Sequence, residues 1–330
     1  MHVVVAVAIV RAGASLTLRL HEMTIDSAAG DSTRVRDESM PVPRGGEEHP
    51  SASRMVSAVV RDMFSYRELL LELTARDLRI RYKQSVLGVL WAILTPLVVV
   101  LAGAIIKAAF TSMSGRSVAP LELAGLAVKS IGWTFFVGAL GFGTASLTAN
   151  LALVTKVYFP RELLPVSTVV TQAVDSSIGA MALLVLFPLF GIGHLSGLGW
   201  LLLIVLLLTA LTTAIVLLAS CANVFYRDVK HVVQLVTSFG IFFSPVFFDL
   251  DAFGTRGVRV LVLNPLTGLL EGARLAIVTG HDLATPLIGA TGSVIWSPGY
   301  LVYAAVAALG SLLLSMIIFR RASANFADFV

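Results

Sequence analysis

Three ionisable residues, Lys107, Lys129 and Asp175, stand inside long apolar stretches of the sequence. Burying a charge in hydrocarbon costs about 2.5 to 3.5 kcal/mol even on the lenient insertion scale, so such residues usually have a partner or a role. Lys107 lies near one end of its stretch, and we predict that its long side chain reaches the head groups. The side chain of Asp175 is too short for that, so we expect it to face a neighbouring helix or a hydrated path.

Lys129 leaves two interpretations open. It follows Glu122 by two helical turns, so the two residues can share a helix face and pair or line a polar path. Alternatively, Lys129 extends its ammonium group to the membrane surface, as Lys107 is expected to do. A proton-coupled mechanism would need a chain of paired intramembrane charges, which three scattered residues do not supply.

Aromatic residues are concentrated in two of the apolar stretches. They are Trp133, Phe135, Phe136, Phe142, Phe239, Phe242, Phe243, Phe247 and Phe248. Aromatic rings at helix ends commonly anchor a protein at the membrane interface, but the same rings offer apolar faces on which sugars stack, and both interpretations stay open. The candidate channel-lining residues are Trp91, Lys129, Trp133, Phe136, Asp175, Phe239, Phe242 and Phe243.

The motifs that many enzymes and nucleotide-binding proteins carry are absent from the sequence. No Gly-Lys-Ser or Gly-Lys-Thr occurs, so the chain lacks the loop that cradles nucleotide phosphates. Its six histidines form no metal-ligand pattern, and its one cysteine cannot make an internal disulfide. We therefore expect that the chain is not an enzyme, binds no metal and binds no cofactor itself.

Composition indicates the setting in which these residues work. Of the 330 residues, 57% are hydrophobic and 13% are charged, whereas soluble domains carry roughly 25% charged residues. Apolar runs of this length predict an all-α integral membrane protein with six transmembrane helices. The predicted spans are 86–110, 121–147, 166–190, 197–220, 231–248 and 300–319. Pro245 lies in the fifth, which we expect to kink or to stop early.

Two segments differ from the spans. Residues 1–60 hold many charges and a stretch rich in Pro and Gly, which predicts a disordered polar extension ahead of a membrane domain over 61–330. Residues 249–299 contain Glu271 and Arg274, so we keep them outside the bilayer core as short external re-entrant or interfacial helices.

A helix precedes the first span. Tyr66, Leu69, Leu70 and Leu73 fall on one helical face, which fits either an amphipathic helix at the membrane surface or a solvated juxtamembrane helix. In the six-span arrangement, 13 Lys and Arg residues lie on one side and four on the other. Cytoplasmic loops carry the excess of Lys and Arg, so both termini are predicted to be cytoplasmic. The basic pI of 9.4 is thus a sign of topology and not of nucleic-acid binding.

Five blocks of sequence carry a resemblance. The stretch Arg76–Leu97, RDLRIRYKQSVLGVLWAILTPL, closely resembles the entry to the first span of the ABC-2 type permeases that export bacterial polysaccharides, O-antigen and teichoic acid. Residues 150–167, 223–233, 244–248 and 263–277 resemble later blocks of that family, in order. The resemblance covers about Tyr66 to Val330.

The resemblance implies partners and residue roles. It implies a bacterial inner-membrane permease that works as two copies with two separate ABC ATPase subunits, which hold ATP and Mg, and that exports a lipid-linked glycan. It implies an ATPase-coupling loop of Lys156, Val157, Tyr158, Phe159, Pro160 and Arg161. It also implies a cytoplasmic gate helix with head-group contacts from Tyr66, Arg76, Arg79, Arg81, Tyr82 and Lys83.

Rival functions remain at this point. An ABC-2 permease for drug or lipid efflux would share the fold. An ion-coupled secondary transporter would show inverted repeats, which the sequence lacks, and several paired intramembrane charges.

Overall fold

The computed structural model describes residues 52–83, 85–113, 117–156, 159–189, 191–192, 194–289, 294–323 and 326, and this part of the chain is mostly helical. In chain order its α-helices are α1 (Ala52–Ser65), α2 (Arg67–Tyr82), α3 (Trp91–Met113), α4 (Pro120–Ala149), α5 (Leu151–Lys156), α6 (Leu163–Leu189), α7 (Leu198–Phe225), α8 (Val229–Phe243), α9 (Gly254–Leu261), α10 (Pro265–Arg274) and α11 (Pro298–Ser323).

Five helical stretches in the described ranges are long and apolar enough to cross a membrane. They are Gly88–Met113, Pro120–Ala149, Leu163–Pro188, Leu198–Phe225 and Pro298–Ser323. These stretches agree with five of the six predicted spans and with a mostly helical integral membrane protein. The predicted span 231–248 corresponds to α8, an apolar helix of 15 residues that falls short of this length.

Helix α8 stops early because of Pro245. The residue before a proline is disfavoured in helical conformation, and Ser244 adopts an extended backbone with φ −111° and ψ 121°. The expectation that this proline shortens or kinks the fifth apolar segment is therefore confirmed.

Two apolar clusters hold the helices together. The larger one joins α4, α6, α7, α10 and α11 through residues such as Leu126, Leu208 and Leu269. The second lies at the other end of these helices and joins Leu73 of α2 with Leu164 of α6. Leu69 and Leu70 pack partly buried against that second cluster, whereas Tyr66 is exposed.

Helices α4 and α7 approach closely at Gly143. A Cβ atom added there would lie 2.4 Å from Cγ1 of Val216. We expect Gly143→Ala to lower the free energy of unfolding by about 1–3 kcal/mol, measured by thermal unfolding in detergent. Adding Val216→Ala to this variant should recover most of the lost stability, because it makes room for the new methyl group. Gly141→Ala is the matched control, because a Cβ there meets nothing within 4 Å. An equal loss in both glycine variants would contradict this account.

The start of the chain needs one adjustment. Residues 1–51, most of the predicted polar extension, lie outside the described residues. Helix α1 begins at Ala52 and runs to Ser65, so it crosses residue 60, where the sequence placed the domain boundary.

Within the segment 249–299, helix α10 packs into the bundle. Eight consecutive residues of α10, Leu266 to Ala273, are buried, and the helix packs against α4, α7 and α11. Asn264 caps α10 by accepting a hydrogen bond from the backbone N–H of Leu266, and Pro265 occupies its first position. The segment also contains a short antiparallel pair of strands, β1 (Leu287–Ile288) and β2 (Val294–Trp296), which an all-α prediction does not include.

Candidate functional site

A polar cavity of about 420 Å³ lies where α2 meets α3, α4 and α6. Its walls include six of the residues singled out from the sequence, namely Arg81, Tyr82, Trp91, Trp133, Phe142 and Asp175. The predicted gate helix and the predicted channel-lining residues thus meet in one place.

Asp175 is the buried acceptor at the centre of this cavity. It is 6% exposed, and its carboxylate accepts hydrogen bonds from the Arg81 guanidinium and the Tyr82 hydroxyl. Arg81 also donates to Oε1 of Gln172 at 3.0 Å, and its guanidinium lies 4.3 Å from the ring centroid of Phe142. A charge-assisted pair with a stacked ring is a strong, directional contact, which explains how the apolar span accommodates the carboxylate.

Tyr82 acts as a neutral donor in this arrangement. Burial raises the pKa of its phenol above the ordinary value, although the nearby Arg81 charge opposes the shift. Tyr82 therefore keeps its proton at neutral pH and donates a hydrogen bond to the carboxylate of Asp175.

Helix α2 reaches the cavity because it lies along α6. Leu73 packs in the same cluster as Leu164, and eight residues later Arg81 meets Asp175. The basic side chains Arg79 and Arg81 stand in the last turn of α2, where they interact favourably with the helix dipole. Packing of its apolar face against α6 thus fixes the position of α2, and this places its basic C-terminal end at the cavity.

The other predicted gate residues stay at the surface of the chain. Tyr66 is 38% exposed at the N-cap of α2, and Arg79 and Lys83 are exposed. Arg76 pairs with its neighbour Asp77 at 2.9 Å. These residues do not contribute to the polar cavity wall.

A second cavity of about 530 Å³, the aromatic cavity, lies between α4, α7, α8 and the start of α10. Trp133, Phe136, Phe239 and Phe243 are in its wall. Because Trp133 also lines the polar cavity, its indole stands between the two spaces. The remaining candidate, Phe242, makes an edge contact with Phe247 at 6.1 Å between ring centroids.

The predicted coupling loop is described only in part. Val157 and Tyr158 lie outside the described residues, as does the side chain of Lys156, the last residue of α5. Phe159 packs partly buried against the second apolar cluster. Arg161 donates a hydrogen bond to the carbonyl of Ser323 at the end of α11, so the loop is tied to the C-terminal helix.

Six charged side chains form an ion-pair network at the opposite end of α4 from α5. Its cations are Lys107, Lys129 and Arg274, and its carboxylates are Glu122, Asp249 and Glu271. Asp249 is the hub. Its carboxylate oxygens lie 3.0 Å from Nζ of Lys107, 2.9 Å from Nζ of Lys129 and 3.4 Å from Nε of Arg274.

This network corrects the prediction for Lys107. The side chain is buried and bonded to Glu122 and Asp249, so it does not extend to the head groups. The paired carboxylates take the place of the water that would otherwise hydrate the ammonium group of Lys107.

Lys129 is paired, but with partners other than the expected one. It is 1% exposed and bonds Asp249, Glu271 and the carbonyl of Phe248, while Glu122 pairs with Lys107. Its charge is neutralised by carboxylates inside the protein.

Sequence reasoning missed Asp249 and did not identify the ion pair between Glu271 and Arg274. The two α10 charges were taken as grounds for keeping their segment outside the spans, yet Glu271 is fully buried and bonds Arg274 with Nε to Oε1 at 2.9 Å. Their spacing in the sequence could have indicated this pair, since an acid and a base three residues apart on a helix can neutralise each other.

Comparisons with known proteins agree on one group. A family model described as ABC-2 type transporter matches residues 68–278. The O-antigen export system permease protein RfbA of Myxococcus xanthus is 30% identical over 234 residues, which cover 70% of this chain and 88% of that protein. Two Klebsiella pneumoniae proteins of the same name are each 26% identical over 216 residues, covering 64% of this chain and 81% of each relative. The family match contains both cavities and the whole ion-pair network.

Proposed function

Because the chain belongs to the ABC-2 type transporter family, we propose that it is the permease of an exporter that moves a lipid-linked polysaccharide out across the bacterial inner membrane. As a member of this family it is a transporter component and not an enzyme. The names of its relatives favour an O-antigen type of glycan over a drug or a simple lipid.

The observation that carries this proposal is the polar cavity. Arg81 offers its remaining N–H groups to an anionic head group, and Trp91 and Trp133 offer flat apolar faces to sugar rings. Beyond Trp133 lies the aromatic cavity, which continues the same chemistry along α4. A donor-rich end followed by aromatic walls suits a ligand with a charged head and a sugar chain.

The permease works as two copies. Helix α8 has an apolar face whose side chains are all more than half exposed, namely Val232, Leu235, Val236, Phe239, Phe242 and Phe243. These residues recur at helical spacing and extend over about three turns, so a second copy with the same face suits them. The two copies enclose the export path, and membrane lipid covers the remaining apolar surface.

The chain crosses the membrane six times, with both termini in the cytoplasm. Helix α8 and residues 244–249 together make the fifth crossing, because they run alongside α4 towards its N-terminal end. A Cβ on Gly240 would lie 2.9 Å from Trp133, and one on Gly103 would lie 2.8 Å from Leu126 and from Phe247 alike. Helix α10 then enters the bundle and returns as a re-entrant segment.

Two ABC ATPase subunits supply the energy, and they hold the ATP and Mg. This proposal rests on the family and on the absence of a phosphate-binding loop from the sequence. The loop Lys156–Arg161 docks on the ATPase, and the bond from Arg161 to Ser323 passes its motion to α11.

The test is to replace residues 158–161 by Gly and Ser in a chain co-expressed with candidate ATPases. We expect co-purification of the ATPase and ATP-dependent glycan export both to fall at least about tenfold, a change of about 1.4 kcal/mol. Arg256 and Arg259, exposed on α9, are replaced in the same way as the control. Survival of both activities in the loop variant would overturn the coupling assignment, and drug efflux without glycan export would overturn the substrate.

A further inference from the structure

A third cavity, the apolar cavity, lies between α4, α6, α7 and α10 and has a volume of about 230 Å³. None of the described residues in its wall is charged, and only Ser176, Ser177 and Thr209 are polar. The hydroxyl groups of Ser177 and Thr209 donate hydrogen bonds to the carbonyls of Val174 and Val205 on their own helices. The wall therefore offers almost nothing to a polar ligand.

Neither water nor a protein segment suits the apolar cavity. A buried water usually makes about three hydrogen bonds, whereas apolar cavities of comparable size stay dry and take up apolar molecules. An empty cavity lowers stability by an amount that grows with its volume. A helix with its side chains is about 10–12 Å across, which is too wide for a space of about 230 Å³. The occupant that fits is a thin apolar chain.

The apolar cavity opens towards lipid between α6 and α7. Leu184 of α6 and Val205 of α7 line the cavity and are also exposed. Their neighbours Val185 and Leu206 are exposed apolar side chains, and both helices are long and apolar enough to cross a membrane. The interior of the cavity is thus continuous with a surface that the hydrocarbon of the bilayer covers.

The length of the apolar cavity matches that of a lipid chain. Its wall on α6 extends from Ala173 to Phe187, a rise of about 21 Å along the helix. The hydrocarbon of one leaflet is about 15 Å deep, half of a core of about 30 Å. On α10 the wall consists of residues such as Leu269 and Leu270, so a chain in the cavity packs against this helix.

The apolar cavity is separate from the space proposed for the exported molecule. Ile131 and Ser176 line both this cavity and the polar cavity, so their side chains stand between the two spaces. The head-group donor Arg81 lines only the polar cavity. A chain in the apolar cavity therefore comes from the surrounding bilayer, whose main component is phospholipid.

We propose that the apolar cavity binds one acyl chain of a membrane phospholipid, which enters between α6 and α7 and completes the packing of α10 on the bundle. The phospholipid is a resident component of the protein and not its cargo, so the inference does not depend on which molecule is exported. Its head group stays at the membrane surface, because the wall of the cavity has no charged group to receive it.

Photolabelling of the full chain in nanodiscs tests the site. The nanodiscs contain phosphatidylethanolamine and phosphatidylglycerol, with some of the phosphatidylethanolamine carrying a diazirine in one acyl chain. Leu208 and Leu269 line the cavity but are buried, so lipid on the outer surface of the helices does not reach them. We expect cross-links at these two residues, identified by mass spectrometry of peptides. Labels confined to exposed residues such as Leu202 and Leu206 would overturn the proposal.

Filling the cavity is expected to remove these labels. Ala180→Leu replaces a methyl group in the wall by an isobutyl group, and labelling of Leu208 and Leu269 should fall about tenfold, a change of about 1.4 kcal/mol in binding. Ala102→Leu makes the same change at an exposed position of α3 and should leave the labelling as it is. Full labelling in Ala180→Leu would overturn the site. Labelling from a lipid-linked glycan but not from phospholipid would overturn the assigned occupant.

Thermal unfolding provides a second measurement that needs no photoprobe. A ligand that binds only the folded state raises the midpoint of unfolding. Phosphatidylethanolamine added to the protein in detergent should raise this midpoint for the parent chain and for Ala102→Leu, and raise it less for Ala180→Leu, whose own side chain occupies the space. An equal rise in all three chains would contradict a site in the cavity. Because the cross-links are mapped on the parent chain, they decide the question even if Ala180→Leu does not fold.

Discussion

Replacing Asp249 by Asn is expected to lower the free energy of unfolding by about 3–5 kcal/mol, the usual cost of leaving buried charges without their partner. The carboxylate lies within 3.4 Å of a nitrogen atom of Lys107, Lys129 and Arg274. Its loss leaves three cations facing two carboxylates, with the side chains of Lys129 and Glu271 almost fully buried. Thermal unfolding of the purified permease in detergent measures the effect, and the amount of protein in the membrane should fall with it.

A compensating change distinguishes charge balance from a packing defect. Asp249→Asn combined with Lys129→Met restores equal numbers of positive and negative groups, so we expect it to recover at least about half of the loss. Asp282→Asn is the matched control, because the same isosteric change is made at an exposed aspartate. If Asp249→Asn unfolds at the temperature of the parent chain, or if the double variant is worse than the single one, the network does not have this role.

Hydropathy located the spans because a helix that crosses the bilayer must be long and apolar, and both properties can be recognised in the sequence. The span predicted at 121–147 is a helix over Pro120–Ala149, and the shortened fifth segment follows from Pro245 alone. The resemblance carried by short blocks of sequence also held, since the family model and the relatives agree with it.

Charge placement failed for a physical reason. The cost of burying Lys107 or Glu271 depends on partners from other helices, and Lys129 and Glu271 are 142 residues apart in the chain. An insertion cost for a single residue contains no information about such partners. Lys107 was therefore assigned to the head groups, although its ammonium group is held by the carboxylates of Glu122 and Asp249.

The sequence predicted only part of the polar cavity. Asp175 was expected to need a neighbouring helix, but periodicity on α2 identified the apolar face around Leu73 and not the destination of its basic end. The pair between Arg81 and Asp175 joins residues 94 positions apart, and it exists because Leu73 and Leu164 fix α2 along α6. Packing of the apolar faces had to be known before the polar contact could be predicted.

Arg81→Gln is expected to reduce export by at least about tenfold, equivalent to about 1.4 kcal/mol of lost coupling or binding. The guanidinium is the cation that meets Asp175 in the polar cavity, and it stacks on Phe142 at 4.3 Å. Its removal leaves a carboxylate buried in a spanning helix and takes away the positive charge available to an anionic head group. ATP-dependent glycan export by the co-expressed transporter measures the result.

A double variant separates the two contributions of Arg81. In Arg81→Gln/Asp175→Asn no charge is left unpaired, so thermal stability is expected to return towards that of the parent chain. If Arg81 also binds the substrate head group, export stays low in the double variant although the protein folds. If export recovers, the role of Arg81 is only to hold α2 against α6. Arg79→Gln, which removes an exposed arginine from the same turn, is expected to export normally, and a loss as large as that of Arg81→Gln would show that general positive charge on α2 matters more than this pair.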